Sequence, residues 1–199
     1  MLTYRILDRD IPYTGAELRS GWAAEITGLA GDAAAAFIGP CDVRPEYMVD
    51  RVDLEAGARI ASPRMLHIII EHPGLDLNNV TLRQRLLMAI AGEIINTHLG
   101  EPLLRRNGDD LYLRDRKLSI SVATVATLRS NAPLRSTSSP TSGLIHSGFN
   151  LRGEGAPVPA IGLEELGLEP RQFAGQLLSA YAKEIESVRE ASSKVKPVA

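Results

Sequence analysis

A short, mainly apolar run in the first half of the chain constrains the fold more than any other feature. Residues 65–71 include a leucine, a histidine and three consecutive isoleucines, and His72-Pro73-Gly74 closes the run. Successive side chains of a strand point to opposite faces of a sheet, so a short run of this kind predicts a strand that is buried on both faces. We therefore expect the chain to build a sheet with this segment as a central strand.

Three segments have the spacing and the end signals of principal helices. The most regular is residues 80–99, where leucine and isoleucine recur at helical spacing and Gly100 supplies a stop. Its expected cap is Asn78 or Asn79. The other predicted helical segments are a helix capped by Thr14 that ends at Gly28 or Gly31, a turn at 163–166, and a terminal helix opened by Glu169-Pro170.

The remaining apolar segments predict strands, and their order predicts the fold class. Residues 111–113 and 118–125 are expected to form a hairpin that turns at residues 114–116. Residues 39–45 and 129–143 are expected to be loops, the second being either a linker or a cover over substrate. Strands interspersed with three principal helices indicate an α+β fold with a mixed, largely antiparallel sheet flanked by helices. The other predicted strands are residues 4–7, 33–38 and 144–151.

Length and composition bound the organisation of the chain. With 199 residues, 44% of them hydrophobic, the simplest organisation is one domain over residues 1–190 and a frayed tail over residues 191–199.

The 22 basic and 24 acidic residues leave no overall field that would favour nucleic acid or an anionic membrane surface. A single cysteine, Cys41, excludes a disulfide framework and a cysteine-rich zinc site. Because the chain shows neither a signal-peptide pattern nor an apolar run near the roughly 20 residues of a membrane span, we expect a cytoplasmic protein.

Lys117 is the residue that most clearly indicates a binding site. It begins an alternating segment in which Ser119 and Ser121 share one face and apolar side chains point the other way. A buried ammonium group must be neutralised by a partner or a ligand, because its desolvation is costly. Lys117 is therefore either a solvated hairpin residue beside Asp115 or the cation that binds an anionic ligand.

Two further titratable residues are candidates for the same site. Asp110 lies seven residues before Lys117 and is expected either to orient the lysine or to accept a hydrogen bond from a ligand. His146 shares one face of a later strand with Gly148 and Asn150. A histidine in an apolar strand is either a hydrogen-bonded core residue or a ligand-facing one, and the nearby glycine permits a close backbone approach.

The sequence offers little for other kinds of chemistry. His67 and His72 lie on opposite faces of the predicted strand and have no third ligand nearby, which predicts no metal site. Cys41 is either a nucleophile or a buried thiol. Neither a Walker-type loop nor a dinucleotide-binding glycine fingerprint occurs.

The segment from Gly108 to Ala123 resembles one that lipoate and biotin protein ligases share. In that segment a glycine, a polar residue and an aspartate precede two apolar residues, and Arg-Lys, an apolar residue and small residues follow. On this pattern Asp110 matches the family's aspartate, and Lys117 matches the lysine that holds the carboxylate or acyl phosphate of the substrate. Three more segments are similar to the ligases in order and spacing: Phe37-Ile38-Gly39 to their first core strand, residues 59–64 to their arginine-rich and glycine-rich loop, and residues 144–150 to their later His-Gly strand.

Over roughly residues 1–190 the chain resembles more closely the uncharacterised archaeal and bacterial family called domain of unknown function 366. That family is similar in fold to the group formed by class II synthetases and biotin and lipoate ligases. The resemblance therefore implies the catalytic-domain fold of a biotin or lipoate ligase.

The chain departs from the ligase pattern at the loop that wraps the substrate and nucleotide phosphates. Where the ligases have two arginines, a serine and three glycines, this chain has Ser62-Pro63-Arg64-Met65, with no consecutive glycines and a proline that lacks an amide hydrogen. ATP use is therefore left open. Ser119 and Ser121 also replace the glycines that flank the ligase lysine. The related octanoyltransferases share the lysine without using ATP, but the cysteine nucleophile that they carry after the His strand is missing here.

These observations leave two main hypotheses of function. The first is a ligase or acyltransferase that binds a small carboxylate or acyl ligand, with Lys117 and Asp110 as catalytic residues and an acceptor protein as a second partner. The second is a non-catalytic module that binds a small molecule and has lost the phosphate loop. A homodimer is a third expectation, because apolar strands can pair across an interface. The expected substrate-binding residues are Arg64, His67, Ser119, Ser121, His146, Gly148 and Asn150.

Overall fold

The isoleucine-rich run forms the central strand of a five-stranded sheet, as the sequence predicts. In the computed structural model, which describes residues 1–127, 141–196 and 198, this strand spans Ala61–Pro73 and pairs antiparallel with a strand on each side. Ile68, Ile69 and Ile70 have no exposed surface. Ile68 and Ile70 pack into a large core on one face of the sheet, and Ile69 packs into a smaller core on the other. The strand is thus buried on both faces.

The strands form two sheets. The strands are β1 (Thr3–Ile6), β2 (Ala33–Asp42), β3 (Ala61–Pro73), β4 (Leu104–Asn107), β5 (Asp110–Leu113), β6 (Arg116–Lys117), β7 (Ser119–Thr127) and β8 (Thr141–Asn150). In the five-stranded sheet the order is β1-β2-β3-β8-β7, in which only β1 and β2 run parallel, and the small sheet has the order β4-β5-β6 with antiparallel pairs. The predicted mixed, largely antiparallel sheet is therefore confirmed.

Two long helices cover one face of the five-stranded sheet. Their buried side chains, among them Leu87 and Phe173, form the large core together with the sheet residues that point toward them. The smaller core on the other face contains Tyr13, Trp22 and Phe37. None of the helices in the described part of the chain is both long and apolar enough to cross a membrane. The helices are α1 (Trp22–Thr27), α2 (Arg51–Glu55), α3 (Leu77–Leu99) and α4 (Pro170–Ser193), with single 3₁₀ turns at Pro45–Tyr47 and Glu164–Leu166.

Two helix starts differ from the predicted ones. Helix α1 begins at Trp22 rather than near Thr14, because Gly21 has a φ of 83° and interrupts the helical path. The N–H of Gly21 donates to the carboxylate of Glu71 at 2.8 Å, which fixes this start against β3. Helix α3 is capped by Asp76 in place of the predicted asparagines, since its carboxylate accepts a main-chain N–H of the first turn at 2.8 Å. The predicted opening of α4 by Glu169-Pro170 is confirmed.

The predicted hairpin exists, but its second strand is different. Strand β5 pairs with β6 across a two-residue turn at Arg114-Asp115, where Arg114 has a φ of 57°. Strand β6 has only two residues, and after Leu118 the chain crosses to the five-stranded sheet, where β7 becomes an edge strand beside β8. The prediction that residues 118–125 pair with residues 111–113 is therefore wrong. Leu118 is fully buried in the large core at the point where the chain changes sheets.

Two predicted loops are also partly corrected. Strand β2 continues to Asp42, so Cys41 lies in a strand and is paired opposite Ser62, just after an irregularity in the register at Gly39. Burial raises the pKa of the Cys41 thiol to about 12, which favours the buried thiol over the nucleophile. In the predicted loop at 129–143, residues 141–143 belong to β8, and residues 129–140 lie outside the described residues.

Candidate functional site

A pocket of about 330 Å³ lies on the face of the five-stranded sheet that carries the smaller core. Strands β3, β7 and β8 contribute Met65, Ile120 and His146 to its lining. The β5–β6 hairpin, the segment around α2 and residues 156–158 complete it, so segments that are far apart in sequence meet there. We call it the Lys117 pocket. The lining residues used below are Tyr13, Asp50, Asp53, Arg59, Asp109, Asp110, Lys117, Ser121, His146 and Asn150.

The two predicted catalytic residues form an ion pair in this pocket. Lys117 Nζ lies 2.7 Å from Asp110 Oδ2, and their side chains are 26% and 19% exposed. Burial alone lowers the pKa of Lys117, but the hydrogen bond and charge of Asp110 outweigh it and raise this pKa above its ordinary value. Burial also raises the pKa of Asp110, and Lys117 offsets only part of that effect. Lys117 is therefore a protonated, half-buried cation, and its partner is Asp110 rather than Asp115.

The main chain of Lys117 is held on two sides. Its N–H donates to the carbonyl of Pro159 at 2.8 Å, and its own carbonyl accepts the N–H of Ile161 at 3.1 Å. The side-chain amide of Asn150, which also lines the pocket, donates to the same carbonyl at 3.3 Å. Because these contacts join β6 to β8 and to the segment before α4, the base of the lysine side chain is fixed before any ligand arrives.

The serines of β7 do not lie beside Lys117 on one polar face. Ser119 is fully buried, and its hydroxyl accepts the main-chain N–H of Leu111 at 2.9 Å. Ser121 lines the pocket, but its hydroxyl donates to the carbonyl of His146 at 3.0 Å and accepts from Gln84 of α3 at 3.1 Å. The predicted face does not continue from Lys117 to the serines, because the chain changes sheets at Leu118: Leu118 packs into the large core and Ile120 against the smaller one. Substrate binding by the two serines stays a prediction.

The histidines His67 and His146 form a buried pair with Tyr13. His67 Nδ1 lies 3.1 Å from His146 Nε2, and His67 Nε2 lies 3.2 Å from the carbonyl oxygen of Gly39. The Tyr13 ring stacks on His146 with 3.8 Å between ring centroids. Burial lowers the pKa of His67 to about 3 and that of His146 well below its ordinary value, so both rings are neutral. His146 lines the pocket, whereas His67 lies behind it and supports it.

The other two predicted binding residues lie at the margin of this arrangement. Arg64 is paired with Asp10 at 3.2 Å, its side chain is 56% exposed, and it does not line the pocket. At Gly148, an added Cβ would lie 2.9 Å from the end of the Met65 side chain and 3.2 Å from Ile120. Since Met65 and Ile120 line the pocket, the glycine leaves room for them to pack, and its part in ligand binding stays a prediction.

Several charged residues in the pocket were not singled out from the sequence as binding residues. Asp50, Asp53 and Asp109 line it together with Arg59. With the Lys117–Asp110 pair included, the lining holds four acidic and two basic residues. Arg59 and Asp109 lie in segments that resemble the ligases, whereas no sequence signal indicates Asp50 and Asp53, which reach the pocket through the packing of α2.

The described residues contain no group of three or more His, Cys, Asp or Glu side chains placed to hold a metal ion. His72, the second histidine of β3, lies on the helix-covered face, where its Nε2 is 3.0 Å from the Tyr181 hydroxyl. The two histidines therefore lie on opposite faces of the sheet, as their spacing predicts.

Comparison with known proteins places the chain in a family. The family model described as Domain of unknown function (DUF366) matches residues 2–196. The chain belongs to this family. An uncharacterized protein of Methanocaldococcus jannaschii is 33% identical to this DUF366 protein, and the match covers 94% of this chain and 81% of that relative. A solved structure described as a protein of unknown function from Pyrococcus horikoshi has 38% identity and a TM-score of 0.87, with 100% of both chains covered.

Biotin protein ligases share the fold of this DUF366 protein at low sequence identity. A mutant of the biotin protein ligase from Aquifex aeolicus, solved in complex with biotin, has a TM-score of 0.55 and 13% identity. The match covers 95% of this chain and 71% of the ligase chain. This likeness shows the fold, and it confirms the predicted ligase-like architecture.

Proposed function

We propose that this DUF366 protein binds a small carboxylic acid or its acyl derivative in the Lys117 pocket and acts as a ligase or acyltransferase. The observation that carries the proposal is the Lys117–Asp110 ion pair, which lies in a pocket of a ligase-like fold. The order of Asp110 and Lys117 along the hairpin also matches the ligase pattern in which the lysine holds the acyl group.

The role of Lys117 follows from its hydrogen-bonding capacity. An ammonium group has three N–H donors, and the contact at 2.7 Å to Asp110 Oδ2 uses one of them. A second donor is then available for the oxygen of a bound acyl group, where negative charge grows as a nucleophile attacks the carbonyl carbon. One preorganised donor of this kind contributes ~3 kcal/mol to transition-state stabilisation.

The geometry around Ser62 and Arg64 supports an acyl donor that is activated before it reaches the pocket. Both residues belong to strand β3 and do not form a loop of free main-chain N–H groups. Arg64 is already paired with Asp10. A strand with a proline at position 63 offers little to wrap around nucleotide phosphates. We therefore propose direct acyl transfer, ahead of ATP-dependent ligation: an amine of the acceptor protein attacks the thioester of an activated carrier, an amide bond forms, and the carbon–sulfur bond breaks to release the carrier thiol.

The first test is native mass spectrometry of the purified protein, to identify a bound acid or acyl compound. The acid found, or a series of fatty acids and dicarboxylic acids if none is found, is then titrated into the wild type and two variants. Lys117→Ala is expected to lose at least tenfold in affinity. Lys183→Ala is the matched control, because Lys183 is exposed on α4, and it should bind as the wild type does. Equal binding by the wild type and Lys117→Ala would refute the role of Lys117.

The second candidate is a non-catalytic module that binds the same ligand. The incorporation of residues 62–64 into a strand favours it, since a pocket without a phosphate loop still holds an acid. The two candidates differ in turnover. A protein that binds the acid and its thioester but transfers no acyl group to the proteins of a cell extract of its source organism would support the module over the enzyme.

A further inference from the structure

The tautomers of His67 and His146 can be assigned from their hydrogen bonds. The carbonyl of Gly39 can only accept, so the nitrogen 3.2 Å away, His67 Nε2, must carry the proton. A second proton on His67 would create a fully buried imidazolium, for which its hydrogen-bond partners provide no carboxylate. His67 Nδ1 is therefore an acceptor, and His146 Nε2, at 3.1 Å, donates to it.

This assignment fixes the last nitrogen of the pair. A neutral imidazole with its proton on Nε2 has a lone pair on Nδ1, so His146 Nδ1 is an acceptor. It makes no hydrogen bond to any residue in the described part of the chain. The His146 ring is 2% exposed, lines the Lys117 pocket and is held in place by Tyr13, which stacks on it. The Gly39 carbonyl thus determines, through two rings, what His146 offers to a ligand.

We propose that His146 is a fixed hydrogen-bond acceptor that selects ligands carrying an O–H or N–H group in addition to their acid or acyl group. This inference rests on the proposed function, because it assigns a specificity-determining residue to the same pocket. The composition of the lining supports it, since four acidic residues, Asp50, Asp53, Asp109 and Asp110, lie there against two basic ones, Arg59 and Lys117. A ligand with hydrogen-bond donors of its own complements this excess of acidic residues.

His67 acts on the ligand only through His146, as a positioning residue. Replacing His67 by phenylalanine keeps a flat ring in the same place, but it removes the ring nitrogen that holds the His146 proton on Nε2. The His146 ring is then free to adopt either tautomer. Selection for a donor on the ligand should weaken although His67 does not line the pocket.

The binding test uses matched pairs of acids on the wild-type protein. Each pair consists of an ω-hydroxy acid and the ω-methoxy acid of the same chain length, from four to ten carbons, titrated by calorimetry. The methoxy acid keeps an oxygen but has no donor, so at the preferred length it should bind about tenfold more weakly than the hydroxy acid. In His67→Phe, which has no acceptor for the His146 proton, this ratio should fall toward one.

The possible results separate this inference from the proposed function. Equal binding of both acids at every length overturns the inference and leaves the proposed function standing. If neither acid of any pair binds, the proposed function is refuted and the inference fails with it. Nitrogen-15 NMR of the labelled histidines gives an independent check that needs no variant. A protonated Nδ1 on His146 at neutral pH overturns the inference whatever the acids do.

Discussion

Asp32 provides the most direct test of how the helices are held on the sheet. Asp32 directly precedes β2, and its carboxylate forms an ion pair with Arg189 of α4 and is 3.3 Å from Nδ1 of His72 in β3. The Asp32 side chain is only 12% exposed. Replacing it by asparagine keeps the shape and a hydrogen bond but removes the charge. We expect Asp32→Asn to destabilise the protein at neutral pH.

The magnitude follows from the pKa of Asp32. Burial alone raises this pKa, but the hydrogen bond to His72 and the charges of His72 and Arg189 outweigh burial and lower it from 3.8 to about 2. A tenfold change in a proton-binding constant corresponds to about 1.4 kcal/mol, so the ionised carboxylate contributes about 2 kcal/mol to the free energy of unfolding. Because the folded pKa is the lower one, this contribution is present above the unfolded pKa and is lost as the pH falls toward 2. At about pH 3 roughly half of it should remain.

Urea denaturation at several pH values measures this contribution. The difference in free energy of unfolding between the wild type and Asp32→Asn should be about 2 kcal/mol at pH 7 and should shrink steadily below pH 4. Asp115→Asn, a change at an exposed turn residue, is the matched control and should cost less than about 0.5 kcal/mol. A difference that does not change between pH 7 and pH 3 would show that the ionic contacts of Asp32 do not stabilise the fold.

Three further changes test the pocket and its surroundings. Ser62→Ala should stabilise the protein by about 1 kcal/mol in urea denaturation, since the buried Ser62 hydroxyl has no hydrogen-bond partner among the described residues; a loss of stability would contradict this. Gly148→Ala should destabilise it by about 1 kcal/mol, because the new methyl group would meet Met65 at 2.9 Å, and an unchanged melting temperature would show that Met65 moves freely. In Asp110→Asn the pKa of Lys117 should fall, which carbon-13 NMR of labelled lysine measures; an unchanged pKa would show that Asp110 does not control it.

The parts of the fold that sequence reasoning predicts are those that local composition determines. The run around Ile69 has no good alternative to a doubly buried strand, and helix α3 carries its periodicity and its stop at Gly100 within one segment. The contact between Lys117 and Asp110 can also be predicted from the sequence, because a two-residue turn joins the two short strands that carry these residues. Such features depend on residues that are close in sequence.

The features that sequence reasoning missed depend on contacts between distant segments. After Lys117 the sequence alternates between polar and apolar residues without interruption at Leu118, although the chain changes sheets there. Only the burial of Leu118 in the large core reveals the change. Tyr13 is more than a hundred residues away from His146 in sequence. It stacks on the histidine because its main chain pairs with Cys41 of β2. No local pattern records either contact.

The contact between Lys117 and Asp110 affects binding and catalysis in opposite ways. A bound carboxylate must share the Lys117 ammonium with a carboxylate that is already 2.7 Å away, so Asp110 weakens the attraction for a fully charged acid. The same contact holds a flexible side chain in one place, which lowers the entropy lost when the ammonium meets an acyl oxygen. An oxygen that gains charge only during the reaction benefits from this fixed position without repelling Asp110 in the ground state. For an acyltransferase, Asp110→Asn should therefore tighten binding of the free acid and slow turnover, whereas a binding module would show the tighter binding alone.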